Sequence, residues 1–222
     1  MKTDPLAHLF TRSAVAEALG KAREAINAVH RRPVNLRKVE ITSSEATLRG
    51  AKVTADLAPQ LSEQQVISAF SVLAPGTVEE SARIFLRSPL QIFARLDVAL
   101  GGTGQPVKAP EELELLGRVI SAAKDNPLLA AVVQGEVASK EFFGIRSATI
   151  AAVAARLAAV ASGLDPRGLC VPETYVRRHR KEFDQAIEEF RSPDGVEKYI
   201  VLHLAAWEAG AAEAESIARA AR

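Results

Sequence analysis

The chain contains 222 residues, of which 48% are hydrophobic and 25% are charged, and its formal net charge is +1. This balance excludes a strong overall attraction to nucleic acid or acidic lipid, and the single cysteine, Cys170, excludes an intramolecular disulfide. The N-terminal residues do not have the pattern of a signal peptide. The most apolar stretch, residues 149–164, is interrupted by Arg156 and is too short to span a bilayer. We therefore expect a cytoplasmic protein without a membrane partner.

Helical periodicity runs along most of the chain. Only 5% of the residues are aromatic, while alanine is abundant, and this combination suits closely packed helices better than sheets. In the first helix, apolar residues from Val15 to Val29 recur every three or four positions after a capping Thr11. Ser62 and Gln65 predict a capping box for a later helix. The predicted helices cover residues 11–31, 36–48, 62–73, 77–86, 89–100, 110–124, 127–140, 147–162, 172–191 and 194–222.

Glycines mark two predicted interruptions of this helical pattern. Gly50 suits the C-cap of the helix over residues 36–48. The run Gly101, Gly102, Thr103, Gly104 is too rich in glycine for a helix. It is similar to a phosphate-binding turn, but it lacks the preceding strand and the downstream acidic residue of a dinucleotide site. We predict an all-α fold of antiparallel neighbouring helices, in which the only non-helical insertion is a small β-hairpin near residues 101–108.

Histidine, cysteine and basic residues give no intact catalytic or metal-binding motif. No pair of the four histidines has the spacing of a helical metal site, and Cys170 has no neighbouring ligand. Cys170 and His203 stand beside apolar residues and are interpreted as buried structural residues. The basic run 177–181 could face nucleic acid, but its charges point around the whole helix and Arg180 can pair with Asp184. A solvated face is favoured, so nucleic acid is not an expected partner.

The segment 130–149 is predicted to form a helix, a turn and a second helix, which directs backbone N–H groups to a helix N-terminus. It resembles the centre of the Fic (filamentation induced by cAMP) family, whose motif is H-x-F-x-[D/E]-G-N-G-R-x-x-R. Members of that family transfer a nucleotide phosphate, usually AMP from ATP, to a hydroxyl side chain. Residues 35–200 also resemble a degenerate branch found in actinobacteria. The resemblance implies an N-terminal helical extension, residues 1–34, and a Fic-like helical domain, residues 35–222.

The catalytic positions of that motif are largely replaced. Phe143 matches the motif's phenylalanine. Glu141 stands where the resemblance implies a catalytic histidine, and Ile145 stands where it implies an acid that holds Mg²⁺. The resemblance therefore implies neither the usual base nor the usual metal ligand, and we predict no metal and no resident cofactor.

The phosphate-binding positions of the motif are also replaced. Arg146, Ser147 and Ala148 stand at the Gly-Asn-Gly cradle, and Thr149 and Ala152 stand at the two arginines. Without metal and arginines, the charge that develops on a transferred phosphoryl group has almost no compensation. The resemblance therefore implies a vestigial site made of Glu141, Phe143, Ile145, Arg146, Ser147 and Thr149.

Two flanking segments extend the resemblance. Residues 44–50 resemble the family's inhibitory helix, [S/T]-x-x-x-E-[G/N], with Glu45 at the hydroxyl position, Arg49 at the inhibitory glutamate and Gly50 at the last position. The loop that starts at Gly101 lies where family members carry a β-hairpin flap that registers the target. We expect Arg49 to lie close enough to Glu141 to pair with it across the vestigial pocket.

Several functions remain open at this point. The first hypothesis is a catalytically degenerate Fic-like protein that regulates or binds an unidentified protein partner, with a homodimer left open. The second keeps an anion or nucleotide site at Arg146, Ser147 and Ala148, with ATP as one candidate ligand and with transfer absent, residual or altered. The third is an enzyme of another class, such as a small oxidoreductase, for which the sequence has no cofactor fingerprint. The fourth is a helical interaction protein without Fic ancestry, which a bundle lacking the hairpin near residues 101–108 would favour.

Overall fold

This computed structural model describes residues 4–221 of the chain, and the regular secondary structure of these residues consists of helices joined by turns and short loops. No strand occurs within these residues, and the predicted all-α class is confirmed. Short 3₁₀ helices cover Ala7–Thr11, Ser71–Leu73 and Gly144–Arg146. The α-helices of the described residues are α1 Ser13–His30, α2 Pro33–Arg37, α3 Val39–Leu57, α4 Glu63–Phe70, α5 Val78–Arg87, α6 Pro89–Ala99, α7 Pro110–Ala122, α8 Leu129–Lys140, α9 Ser147–Ala161, α10 Glu173–Arg178, α11 Arg180–Glu189 and α12 Pro193–Ala220.

Local sequence chemistry explains several helix starts. The backbone N–H of Gln65 donates to the Ser62 hydroxyl at 3.2 Å, and the Gln65 side chain accepts from the Ser62 N–H at 2.9 Å, so the predicted capping box is confirmed. Pro89, Pro110 and Pro193 occupy the first helical position of α6, α7 and α12. Proline suits this position because its missing N–H would have no partner within the helix.

Four local predictions are wrong. Thr11 does not cap the first helix, because it lies in a 3₁₀ helix and the N-cap of α1 is Arg12. Gly50 does not end a helix, because α3 continues through it to Leu57. Residues 172–191 form two helices instead of one, since the backbone of His179 leaves the helical region between α10 and α11. Residues 101–108 form turns and bends without a β-hairpin. Gly101 and Gly104 have φ values of 85° and 81°, a left-handed conformation that glycine adopts without steric cost and that interrupts regular hydrogen bonding.

The N-terminal helix packs against the C-terminal one. α1 lies along α12, and its predicted apolar stripe is buried, from Val15 through to Val29. These side chains belong to the same hydrophobic cluster as those of α4 to α9. Arg12 and Glu197 form an ion pair at 2.5 Å across the two helices. Residues of the predicted N-terminal extension therefore contribute to a core that they share with the rest of the protein.

Helix α9 lies at the centre of this core and packs chiefly against α8, with further contacts to α4, α5 and α6. The stretch Gly144–Ala161 is, within residues 4–221, the one helical segment long and apolar enough to cross a membrane, with a mean hydropathy of 1.4 over 18 residues. Its apolar length is therefore greater than the sequence predicted. However, 61% of the stretch is buried inside the protein. A helix that packs in a core has the same apolar composition.

Candidate functional site

The polypeptide turns sharply between α8 and α9, where the sequence predicts a break. α8 ends at Lys140, Glu141 has a φ of 50°, and α9 begins at Ser147 after one 3₁₀ turn. Phe143 is buried in the core with its ring 6.4 Å from that of Phe93, whereas Ile145 is 63% exposed. Phe143 thus holds the turn in place, and Ile145 faces solvent.

The glycine-rich loop lies directly on this turn. The backbone N–H of Val107 donates to the carbonyl oxygen of Phe142 at 2.7 Å. The ammonium group of Lys108 pairs with the Glu141 carboxylate at 2.5 Å, and both side chains are more than half exposed. The structure therefore brings together the two segments that the resemblance places side by side, although the loop is not a hairpin. It also gives Glu141 a partner from the chain itself.

Arg146 is held by a buried carboxylate. Its Nε donates to Oδ1 of Asp97 at 2.6 Å, and the Asp97 side chain is completely buried. Oδ2 of Asp97 accepts from the N–H of Gly104 at 2.9 Å. The Asp97 side chain also lies so close to Gly102 that an added Cβ there would be 2.0 Å from Oδ2. Asp97 therefore fastens both Arg146 and the glycine-rich loop, and the sequence analysis did not identify it.

The other two members of the predicted anion site offer little to a ligand. The Ser147 hydroxyl accepts from the backbone N–H of Phe143 at 2.9 Å, and the Ser147 N–H donates to the carbonyl of Gly144. Ala148 contributes no polar side chain. Together with the Asp97–Arg146 pair, these contacts direct the Ser147 hydroxyl and N–H and the Arg146 Nε at groups of the protein.

The predicted inhibitory segment forms surface ion pairs. Arg49 contacts Glu45 on its own helix at 2.8 Å and also pairs with Glu213 of α12. Glu141 pairs with Lys108, so the expected Arg49–Glu141 ion pair is not among the ion pairs of residues 4–221. Arg49 therefore joins α3 to α12 instead of reaching the α8–α9 turn.

A second polar cluster lies inside the bundle, around Arg156 of α9. Its guanidinium donates to the carbonyl oxygens of Ala46 at 3.1 Å and Gly168 at 3.0 Å. It also approaches Oε2 of Glu173 at 3.6 Å, and both charged side chains are at least 94% buried. An added Cβ on Gly50 would lie 2.6 Å from the Arg156 Nη1 atom. The absence of a side chain at Gly50 therefore lets the buried pair approach α3.

The two buried carboxylates near Arg156 differ in how well they are satisfied. Asp165 accepts from His30 Nε2 at 2.7 Å and from the backbone N–H groups of Leu169 and Cys170. Burial alone would raise the pKa of Asp165, but these hydrogen bonds, led by that of His30, lower it overall. Neither carboxylate oxygen of Glu173 accepts a hydrogen bond. Burial raises the pKa of Glu173, and the charge of Arg156 opposes that rise.

A cavity of about 190 Å³ opens beside Glu173, between α3, α8, α9, α10 and α11. We call it the Glu173 cavity. Its lining includes Thr54 and Thr149, whose hydroxyl oxygens are buried and have no hydrogen-bond partner. Thr149 belongs to the predicted vestigial site, and Ala148 and Ala152 also line the cavity. The first turns of α9 therefore face a cavity, and the predicted catalytic groups Glu141 and Arg146 are not part of its lining.

The mouth of the Glu173 cavity is polar. Gln60, Arg180 and Asp184 line it and are exposed. Arg180 pairs with Asp184 at 3.5 Å, as the sequence predicts. Gln60 donates to the carbonyl oxygen of Ile145 at 3.1 Å, which connects the mouth to the α8–α9 turn.

A larger concavity of about 850 Å³ lies elsewhere, between α6 and α7, and includes Pro89, Leu90 and Gly117. None of its lining side chains is among the buried polar groups without a partner. We regard it as an open surface groove, because volume alone does not make a binding site without convergent polar groups.

Sequence reasoning missed the buried charges that organise both regions. Arg156 interrupts a long apolar helix, and a charge in that position signals a buried group that needs a partner. The partners, Glu173 and the carbonyl groups around it, lie far away in sequence, so the pairing had no local signal. Cys170 and His203 are completely or almost completely buried, as predicted. Among residues 4–221, no three His, Cys, Asp or Glu side chains cluster closely enough to hold a metal ion.

Comparison of the chain with protein-family models finds no match, and comparison with curated proteins finds none either. The resemblance to the Fic family therefore stays a prediction drawn from the residues quoted above.

Proposed function

We propose that this protein is a helical binding protein that does not transfer a nucleotide. One observation supports this function above the others: three polar side chains at the α8–α9 turn are each engaged by another group of the protein. Glu141 pairs with Lys108, Arg146 with Asp97, and the Ser147 hydroxyl with the N–H of Phe143. A phosphoryl transfer site needs donors and cations directed at the phosphates, and those at this turn are directed at protein groups.

The proposal takes two forms that differ in ancestry. A degenerate Fic-like origin is supported by the break between α8 and α9 and by the contact of the glycine-rich loop with that turn. An origin outside the family is supported by the absence of a hairpin at residues 101–108 and of the Arg49–Glu141 pair within the described chain. Both forms describe a binding protein without AMP transfer, so the function does not depend on the choice.

Retained binding of an anion or nucleotide at Arg146 is the weaker alternative. A phosphate bound there would have to share the Arg146 guanidinium with Asp97, whose completely buried carboxylate already binds the Nε. The negative charge of Asp97 therefore lies beside the site and disfavours a second anion.

An adenylylation assay tests the proposal. Purified protein is incubated with Mg²⁺ and ATP labelled at the α-phosphate, alone and with added cell extract, and AMP adducts are sought by intact-mass analysis and by label. An active AMP transferase run in parallel shows that the assay works. We expect no adduct on the chain or on the added proteins. Robust transfer that is lost in Glu141→Ala but kept in Glu188→Ala, a change at an exposed position of α11, would overturn the proposal.

A further inference from the structure

We propose that the Glu173 cavity binds a small, largely apolar molecule that carries a primary amine, with the ammonium group held by the Glu173 carboxylate. This inference rests on the proposed function, because it names the class of ligand that the binding protein takes.

Three buried polar side chains that line the cavity can accept hydrogen bonds and have no partner: a carboxylate, which only accepts, and two threonine hydroxyls. The side chain of Glu173 is only 6% exposed, and both of its oxygens are without a hydrogen bond. The buried hydroxyl oxygens of Thr54 and Thr149 are also unpartnered. Buried polar atoms are usually paired with protein or water, so a group of unpaired ones on one cavity indicates where a ligand or water belongs. An ammonium group offers three N–H donors and no acceptor, which complements this set.

Arg156 does not satisfy Glu173. It lies 3.6 Å from the carboxylate, beyond hydrogen-bond distance, and it spends two donors on the carbonyl oxygens of Ala46 and Gly168. Asp165 provides the contrast within the same protein, because it receives three hydrogen bonds. The protein therefore supplies hydrogen-bond donors to one buried carboxylate, Asp165. The carboxylate of Glu173, which lines a cavity, receives none.

The charges at the mouth do not favour an anionic ligand. Arg180 is the cation on the lining, and it is paired with Asp184. A ligand carboxylate or phosphate entering the cavity would meet Glu173 without a free cation to compensate the repulsion. An amine would instead gain charge-assisted hydrogen bonds, which are about twice as strong as neutral ones.

The apolar walls and the volume of the cavity determine the chemical character and the size of the remainder of the ligand. Leu57, Ala152 and Val176 line the cavity with apolar surface. Its volume of about 190 Å³ is smaller than the roughly 300–1,000 Å³ of pockets that hold drug-sized ligands. The cavity therefore suits a compact hydrocarbon body, such as one ring or a short branched chain, with a single polar head.

The test compares three probes that share a ring and differ in the head group: cyclohexylamine, cyclohexanol and cyclohexanecarboxylate. Binding to the full chain is followed by NMR titration near neutral pH, for the wild type, Glu173→Gln and the exposed control Glu188→Gln. We expect the amine to bind the wild type about tenfold more tightly than the alcohol, which corresponds to one charged hydrogen bond. The carboxylate should bind most weakly. Glu173→Gln should abolish the preference for the amine, and Glu188→Gln should keep it.

A cavity-filling variant, Ala152→Leu, covers the case in which Glu173→Gln does not fold. It retains the carboxylate and should weaken binding of the amine and the alcohol alike. Equal binding of all three probes to the wild type, tightest binding of the carboxylate, or unchanged amine binding in Ala152→Leu would each overturn the inference. AMP transfer plays no part in this assay, so a negative result here is distinct from a failure of the proposed function.

Discussion

Arg146 on the turn before α9 and Asp97 at the end of α6 form a bonded pair, with Nε and Oδ1 2.6 Å apart and the carboxylate completely buried. The same carboxylate binds the N–H of Gly104. One side chain therefore connects the turn that resembles a catalytic motif to the loop that resembles its flap. The pair explains why these segments lie together, and it places a buried negative charge beside the guanidinium that a phosphate would contact.

Replacing Arg146 with alanine should destabilise the protein strongly. The change leaves the Asp97 charge buried without its cation, and we expect a loss of about 3 kcal/mol in the free energy of unfolding, measured by urea denaturation. Arg95→Ala, at an exposed position of the same helix as Asp97, is the control and should change stability by less than about 0.5 kcal/mol. A loss in Arg146→Ala as small as that of the control would contradict the structural role. Stabilisation of the wild type by millimolar ATP would instead support the anion-site alternative.

Glu141 provides a test of backbone strain at the same turn. It is one of two non-glycine residues with positive φ among residues 4–221. The other, Ala109, directly follows Lys108, the ion-pair partner of Glu141. A left-handed conformation costs an L-residue about 1–2 kcal/mol, and glycine is free of most of this cost. Glu141→Gly should therefore be about 1 kcal/mol more stable than Glu141→Ala, since both variants lose the same surface pair. Equal stabilities in thermal or urea unfolding would show that the turn is not strained.

Much of the helical fold could be predicted because its signals are local. The stripe from Val15 to Val29, the Ser62 capping box and the helix-opening prolines each act within a few residues. Gly50 was misinterpreted because its role depends on Arg156, more than a hundred residues away. A glycine that ends a helix and a glycine that admits a buried guanidinium look the same in sequence.

The same distinction applies to the candidate site: its local features could be predicted, and its contacts between distant segments could not. The break after Phe143 follows from its own segment and could be predicted. The partners of Arg146 and Glu141 come from the α6–α7 region, and the partners of Glu173 come from α9, so neither set could be read from the motif. The motif singles out Thr149 by its position, but the place of its unpartnered hydroxyl in the Glu173 cavity depends on four other helices.

Gly50 and Gly20 form a matched pair of helical glycines. Alanine at Gly20 meets no atom within 4 Å and should stabilise the protein by about 0.5–1 kcal/mol through helix propensity. Alanine at Gly50 would lie 2.6 Å from Arg156 Nη1 and 3.1 Å from Glu173 Oε2. The guanidinium cannot move away without losing its bonds to Ala46 and Gly168, so we expect a loss of about 1–3 kcal/mol. Urea denaturation of both variants measures the difference, and a gain in stability for Gly50→Ala would refute the tight approach.

His203 should make the protein sensitive to acid. Burial lowers its pKa from 6.5 to about 3, and its Nε2 accepts from the Trp207 indole N–H at 3.4 Å. Below pH 6.5 the unfolded chain takes up a proton that the folded protein refuses, so stability is lost as the pH falls towards 3. Glu173 acts in the opposite direction, because its raised pKa lets the folded protein hold a proton at a higher pH than the unfolded chain does.

A comparison with His203→Gln, which cannot take up this proton, isolates the contribution of His203, because Glu173 is common to both proteins. Between pH 6.5 and 5, the wild type should lose about 1.6 kcal/mol more unfolding free energy than the variant, because the loss approaches about 1.4 kcal/mol per pH unit only below pH 6.5. His8→Gln, at an exposed position, serves as the control and should follow the wild type. Stability curves for His203→Gln and the wild type that run parallel over this interval would mean that His203 is accessible to protons in the folded protein, since only a buried imidazole separates the two curves.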